Sequence, residues 1–415
     1  MNATSELLFW FAQGGTTVAP PPTALVVPLT AKGVELVRPD GSIFKYRAVT
    51  GFRAPELYAK KEIGWIEDYY QWIRELGGNT IRVFGMWNNT GYMPKRGSGY
   101  YDALNAFFAH AKGSGLYVHF VCFCDQVEGS DVLLSHEDQN THLNEVLNIV
   151  RHTDNVFVEI ENESWKNGNN AYADRFPSSL FDKLLAMRSS WPEESPPADP
   201  SLGGWLSLGT KHLDRGTEWT RKAKTLYEMQ FEGLGAFPPA RIPSLSGEPE
   251  RIGEATTPRQ HADNAACTEL MGLGGCLHGG YSSFDSSHDN DLQNCRATGS
   301  ANAMACAQAV ADVWKSDIFD PRVGGTEHLD RGRECNDGPC PVVHFDRYNE
   351  ASPCHHPKDG ACRSYFKLLE GKYYGLSCDP GPEWPGYQTR EGWRIVAQGG
   401  YSGDGHGGNM LRLER

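Results

Sequence analysis

Two glutamates stand where short apolar runs stop. Val156-Phe157-Val158-Glu159-Ile160-Glu161-Asn162-Glu163 alternates apolar with acidic residues and ends in Asn-Glu, with Trp165 two positions further on. Ile242-Pro243-Ser244-Leu245-Ser246-Gly247-Glu248-Pro249 is a second strand-like run, halted by Gly and Pro around a Glu. Carboxyls at the ends of different strands suit the cleavage of an acetal between sugars. The bridging oxygen is a poor leaving group at neutral pH, so one carboxyl must donate a proton while the other attacks or stabilises the anomeric carbon. Their surroundings must then differ: partial burial or a like charge keeps one protonated, and a cation or several donors keep the other ionised. Glu163 has Glu159 and Glu161 as acidic neighbours on the same run, which suits it to the acid/base role. Strand alternation keeps all three on one side only while the strand stays regular. Either dipeptide alone is commonplace at solvated strand ends, and it is their order and context that give them weight.

The elements around them are strand-helix alternations. Phe44 to Phe52 reads as a strand, Ile66, Tyr69, Tyr70, Ile73 and Leu76 recur at helical spacing, and Asn79 to Trp87 is a second strand. Leu104, Phe107, Phe108 and Ala111 mark a second helix, Leu116 to Cys124 a third strand, Leu143 to Val150 a third helix, and Val156 to Glu163 a fourth strand. Such a series favours a parallel α/β sheet with right-handed crossovers, in a chain long enough to close a (β/α)8 TIM barrel, where catalytic groups sit at strand C-termini.

With these residues placed, the chain resembles the large clan of retaining (β/α)8 glycoside hydrolases that includes cellulases and β-mannanases. The resemblance covers roughly Phe44 to Trp314 and rests on short motifs. It implies that Glu163, after Asn162 at the end of strand four, is the acid/base, and that Glu248, ending strand seven, is the nucleophile. Asn162 would hold the sugar 2-hydroxyl, and Arg82 on strand two would lie beneath Glu248 and keep it ionised, as a guanidinium does to a carboxylate. No metal or organic cofactor is implied. Glu218, Glu250 and Glu254 stand as alternative nucleophiles, because the register of the later strands is open.

Further candidates line the expected rim. Trp87, Trp165 and His119 sit at or near predicted strand ends, where aromatic faces stack on sugar rings; for the two tryptophans, rim packing is an equal reading. The last barrel strand is expected over Gly274 to Tyr281, followed by a helix from Ala301 to Trp314. His278 and Tyr281 would line the sugar site, with a structural role for His278 equally open. The middle of the barrel fits least well. A helix is expected around Leu180 to Met187 and another around Thr220 to Phe231, either side of a Pro-rich break from Trp191 to Pro200. Strands five and six then fall to Trp205-Leu206-Ser207-Leu208 and Thr210 to Asp214, and helix five is missing or reduced to a turn. The octet Gly209 to Gly216 nearly recurs as Gly325 to Gly332, with a fainter echo in His344-Phe345-Asp346-Arg347. No repeat period extends beyond them, so the first copy is assigned to a barrel strand, with His212 facing the site, and the others to loops.

Composition sets the bounds. The 415 residues allow a barrel plus a smaller domain: 1-33 as an N-terminal segment and linker, 34-317 as the barrel, and 318-415 as a Cys-rich loop region with a small β domain. A net charge of -13 argues against nucleic acid as a partner and is neutral toward a carbohydrate substrate. No apolar run reaches membrane-spanning length. Leu7 to Ala12 lacks the basic start of a secretory signal and precedes the extended stretch Gly14 to Pro22, which suits either a peptide docking to a larger assembly or a small packed helix. Val34 to Tyr46 reads as a hairpin closing the barrel floor. Eleven cysteines include five in a Gly- and Pro-rich stretch poor in apolar residues, where disulfides are the natural staple and imply an extracellular or virion-surface setting. Zinc on Cys354, His355, His356 and Cys362 fits no standard spacing. Short strands are expected over Ser364 to Leu369, Tyr373 to Leu376, Trp393 to Ala397 and Met410 to Leu413. The reading from another class is a carbohydrate-binding or structural component of a virus particle or surface assembly built on a hydrolase-like barrel.

Overall fold

The computed structural model describes residues 25–33, 35–87, 90–124, 130–133, 135–162, 178–189, 207–211, 242–247, 274–279 and 301–315, with seven positions between 257 and 269 and the backbone of five strands between 343 and 414. Its centre is a ring of parallel strands. β1 (Thr30–Lys32), β2 (Glu35–Val37) and β3 (Ile43–Phe44) form an antiparallel meander ahead of it. The ring itself runs β4 (Arg47–Thr50), β5 (Thr80–Phe84), β6 (Tyr117–Phe123), β7 (Val156–Glu161), β8 (Ala186–Ser189), β9 (Gly209–Lys211), β10 (Ser244–Ser246) and β11 (Gly275–Leu277). Parallel ladders join β11 to β4 and then each neighbour through to β8, and β9 pairs in parallel with β10. Two links complete the circle. The amides of Ser207 and Leu208 both donate to Ala186 O at 3.1 Å, beside β8, and a parallel bridge joins Leu245 to Gly274. The eight strands therefore close in chain order, the (β/α)8 topology.

Packing follows from alternation. β5, β6 and β7 are buried at every residue. Their outer residues (Ile81, Val83, Val118, Phe120, Val156, Val158, Ile160) meet the helices α1 (Ala54–Ala59), α2 (Ile63–Glu75), α3 (Tyr100–Gly113), α4 (His136–Val150) and α5 (Ala301–Trp314) in one apolar cluster. The helices turn matching stripes inward: Ile66, Tyr69, Tyr70 and Ile73 on α2, Leu104, Phe107, Phe108 and Ala111 on α3. α4 starts at a capping box in which Ser135 Oγ accepts from Asp138 N at 3.1 Å while the Asp138 carboxylate accepts from Ser135 N at 3.1 Å.

The lower interior is a second apolar cluster, with Val26, Leu36 and Phe44 plugging it from below against Ala48, Tyr117, Phe157, Met187, Leu208, Leu245 and Cys276. Tyr117 O–H donates to Val27 O at 2.7 Å, which ties residues before the meander to the barrel. The hairpin read over Val34 to Tyr46 is present as β2 and β3, with Gly41 at φ 83 in its turn. At Gly274 a Cβ would clash with Leu245 Cδ2 and stand 2.7 Å from Tyr46 Cδ1, so only glycine lets β10, β11 and Tyr46 approach so closely.

The middle of the barrel differs from the sequence reading. The helix expected around Leu180 to Met187 is a 3₁₀ turn, Ser178–Phe181, followed by strand five, β8; strand six alone falls in the interval once given to both. Leu180, Leu184 and Met187 have helical spacing, but pairing with β7 and burial of Ala186 and Met187 prevail. The single strand expected over Phe44 to Phe52 is also divided, Phe44 belonging to the meander. In the C-terminal part, β12 (Val343–Asp346), β13 (Arg363–Leu369), β14 (Lys372–Ser377), β15 (Arg394–Gly400) and β16 (Asn409–Glu414) form an antiparallel sheet in the order β12-β13-β14-β16-β15. The octet echo at His344, read as a loop, lies in β12.

Disulfides were expected to staple the later part of the chain. Of the described cysteines, Cys122, Cys124, Cys276 and Cys306 are buried and none is in a disulfide. They serve as small apolar packers, Cys276 in the lower interior and the other three behind the sheet. The remaining seven lie outside the described residues, so the oxidising setting gains no support from these four.

Candidate active site at the upper end of the barrel

Above the apolar plug the barrel interior turns polar. Successive inward residues on β7 are Phe157, Glu159 and Glu161, and the last two are fully buried. Arg82 on β5, also fully buried, donates from Nη2 to Glu159 Oε2 at 3.0 Å and to Asn162 Oδ1 at 2.9 Å. Its Cζ lies 5.2 Å from the Phe84 ring centroid. His119 on β6 places Nε2 2.9 Å from the same Glu159 oxygen and Nδ1 2.5 Å from Tyr46 OH. Burial holds the Tyr46 phenol well above its ordinary range, reinforced by Cys276 and Glu159 and opposed by Arg82. The phenol therefore keeps its proton and can donate it to Nδ1, an arrangement that leaves Nε2–H to face Glu159.

Asn162 marks where the strand ends. Its backbone N–H still donates to Phe123 O at 2.8 Å, but its side chain turns into the barrel, where alternation from Glu161 would have sent it outward. Because Arg82 donates to Oδ1, the orientation of the amide is fixed and Nδ2 is its donor side.

A second group gathers at the ends of β4, β5 and β11. Phe52 meets His278 edge-on at 5.3 Å between ring centroids and Trp87 at 5.7 Å, and Gly279 N donates to Thr50 Oγ1 at 2.5 Å. His278 is fully buried and Trp87 half-buried. The segments carrying Phe52 and Trp87 are clamped together by Glu56, whose carboxylate accepts from Arg53 Nε at 2.7 Å and Nη2 at 2.9 Å, from Lys60 Nζ at 2.6 Å and from Thr90 Oγ1 at 3.0 Å. Burial alone would raise the Glu56 pKa; Arg53, Lys60 and Thr90 more than offset it, and the net direction is down.

The structure thus joins Arg82 and His119 through Glu159, Asn162 to these through Arg82, and Trp87 and His278 through Phe52. His119 corrects the sequence reading: it stands third of seven residues in β6, fully buried with both ring nitrogens engaged, so it cannot stack on a sugar at a strand end. Glu163, Trp165, His212, Glu248 and Tyr281 lie outside the described residues, as do Glu218, Glu250 and Glu254. Tyr46 and Glu159 were not singled out as site residues. Tyr46 shares the parity of Ala48 and Thr50 on the first barrel strand, and that alternation was the available signal. Among the described residues no group of three His, Cys, Asp or Glu side chains has metal-binding geometry, and no helix is long and apolar enough to cross a membrane.

Eight parallel strands in chain order, with polar side chains converging above an apolar plug, define a (β/α)8 barrel of the kind whose chemistry sits at the C-terminal strand ends. Solved structures share this fold. A glycoside hydrolase aligns over 94% of this chain and 97% of its own at 14% identity and a TM-score of 0.52. A glycoside hydrolase family 5 protein from Bacteroides vulgatus ATCC 8482 aligns over 93% of both chains at 12% identity and a TM-score of 0.56. No protein-family model matches the chain, and no curated protein matches it in sequence.

Proposed function

We propose that the chain is a retaining glycoside hydrolase acting on an oligo- or polysaccharide, with Glu163 as acid/base and Glu248 as nucleophile. The observation that carries the reading is Asn162. It closes strand four of a complete barrel, its side chain is turned inward, and its amide is oriented by a buried arginine. Glu163 is the next residue in the chain. In the sequence, Glu248 directly follows Gly247, which comes just after strand seven, β10.

In this reading Glu163 protonates the departing glycosidic oxygen while Glu248 attacks the anomeric carbon, giving a glycosyl ester. Glu163, now a carboxylate, takes a proton from water, which attacks the same carbon and releases Glu248. Asn162 Nδ2–H donates to the sugar 2-hydroxyl. Arg82, held by Glu159 from below, supplies the positive potential that favours the ionised form of Glu248. Trp87, His278, Trp165, His212 and Tyr281 line the sugar, with Trp87 offering a ring face. Retention needs the two carboxyls about 5 to 5.5 Å apart, and inversion about 6.5 to 9.5 Å.

The test is hydrolysis of a panel of aryl glycosides and polysaccharides by the wild type, Glu163→Ala and Glu248→Ala. Both variants are expected to lose activity, and azide is expected to rescue Glu248→Ala as a glycosyl azide of inverted anomeric configuration. Activity indifferent to Glu248 removes it as nucleophile. Sugar binding without any hydrolysis replaces the enzyme with a carbohydrate-binding module.

A further inference from the structure

Tyr46 precedes the first barrel strand by one residue, far from the rim in sequence, yet it begins an unbroken line of polar contacts that ends at Asn162. Its ring is 2% exposed and packs edge-on against Phe157 at 5.7 Å and against His119 at 5.8 Å between centroids. Backbone space at Gly274 is what admits it. From its hydroxyl the line passes to His119 Nδ1 at 2.5 Å, from Nε2 to Glu159 Oε2 at 2.9 Å, back to Arg82 Nη2 at 3.0 Å, and on to Asn162 Oδ1 at 2.9 Å.

We propose that Tyr46 and His119 are positioning residues for Asn162, the phenol fixing the imidazole tautomer whose Nε2–H holds Glu159 and, through it, Arg82. A neutral imidazole has one proton for two nitrogens. While Tyr46 O–H donates to Nδ1, that proton is on Nε2 and the carboxylate receives a donor. Without the hydroxyl, Nδ1 can take the proton, and Nε2 then presents a lone pair to a lone pair on Glu159. Glu159 and Arg82 share one oxygen-nitrogen contact, and the same Nη2 orients Asn162, so a turn of the carboxylate is felt at the amide. No residue in the line is more than slightly exposed, and water is poorly placed to substitute for a lost donor. The consequence for rate rests on the glycosidase reading, because it assumes that the Asn162 amide holds the sugar.

The experiment is Tyr46→Phe, which keeps the ring and removes only the hydroxyl. Nitrogen NMR of His119 is expected to show one Nε2–H tautomer in the wild type and a mixture in the variant, and the Asn162 side-chain amide resonances are expected to shift. Turnover is expected to fall about tenfold with KM changed less than about twofold, in line with loss of an outer partner of a catalytic group. That effect should vanish when Asn162 is already alanine. His119→Gln, whose amide N–H can replace Nε2–H, is expected to lose less than His119→Ala and covers the case of a poorly folded Tyr46→Phe. An unchanged His119 tautomer, or a changed tautomer with unmoved Asn162 resonances, overturns the proposal. Wild-type inactivity on every glycoside would instead sink the glycosidase reading, and the two resonance measurements would still decide the positioning claim.

Discussion

Replacing His142 by glutamine should flatten the pH dependence of stability. His142 lies on α4, 1% exposed, with Nδ1 3.0 Å from Tyr101 OH and Nε2 3.5 Å from Cys122 Sγ. The rings of Phe123, Tyr101 and Tyr100 surround it at 5.4 to 5.9 Å. Desolvation pushes its pKa down from 6.5 to about 3. The same desolvation raises the Cys122 thiol, helped by Glu161, and raises the Tyr101 phenol, so the three groups are neutral together. A depressed histidine gives stability that is complete above the unfolded pKa and is lost as pH falls toward the folded one, because the unfolded chain binds the extra proton. The window is therefore pH 6.5 down to about 3. Each unit within it is worth about 1.4 kcal/mol, and from about pH 7.5 to about pH 5 the loss from this one group is about 2 kcal/mol. Urea unfolding at a series of pH values, for the wild type and His142→Gln, isolates the term. Other carboxylates and histidines contribute equally to both curves and cancel. Wild type should lose about 2 kcal/mol more than the variant over that range. Parallel curves would refute the reasoning by showing that His142 is either solvated or already charged in the folded protein.

Two further outcomes follow from the barrel interior. Arg82→Met strands the buried Glu159 carboxylate without its cation and should cost about 3 to 5 kcal/mol, read from denaturant midpoints; a change under about 0.5 kcal/mol would mean that the pair contributes nothing net. Gly274→Ala drives a methyl into Leu245 and Tyr46 and should cost about 1 to 3 kcal/mol, and an unchanged thermal midpoint would show that β10 and β11 yield freely.

How far the sequence could be read depended on strand length. β6 and β7 have seven and six residues, alternate clearly, and are flanked by helices with strong stripes, so they were legible. β8 has four residues and β9 three, too few for a period of two to outweigh the helical spacing of Leu180, Leu184 and Met187. What decides β8 is the ladder with β7, a contact no local pattern announces. The site was legible in part for the same reason. Asn162 and Arg82 declared themselves by position, but Arg82 is tied to His119 through Glu159, and that acid reads in sequence as mere company for Glu163. His119 was given to the rim because strand parity says which face a residue takes and not how deep it lies. Tyr46 was missed because its partner is 73 residues away.

The seam between β11 and β4 has a consequence for how the chain is assembled. It joins positions about 230 residues apart, whereas β4 and β5 are separated by about 30. Loop entropy makes the seam costlier to form by about 2 kcal/mol, while it contributes only three register pairs. What holds it is at its lower edge, where Glu269 takes Arg47 Nε at 2.8 Å and Nη2 at 3.0 Å, and Lys45 Nζ donates to Glu269 O at 2.9 Å. The run from β4 to β8 can zip by successive neighbours, whereas loop entropy favours closing the circle last, and this acid with its two cations is its buckle. Fluctuations of the native barrel should begin there, so amide exchange should be faster along β11 than along β6.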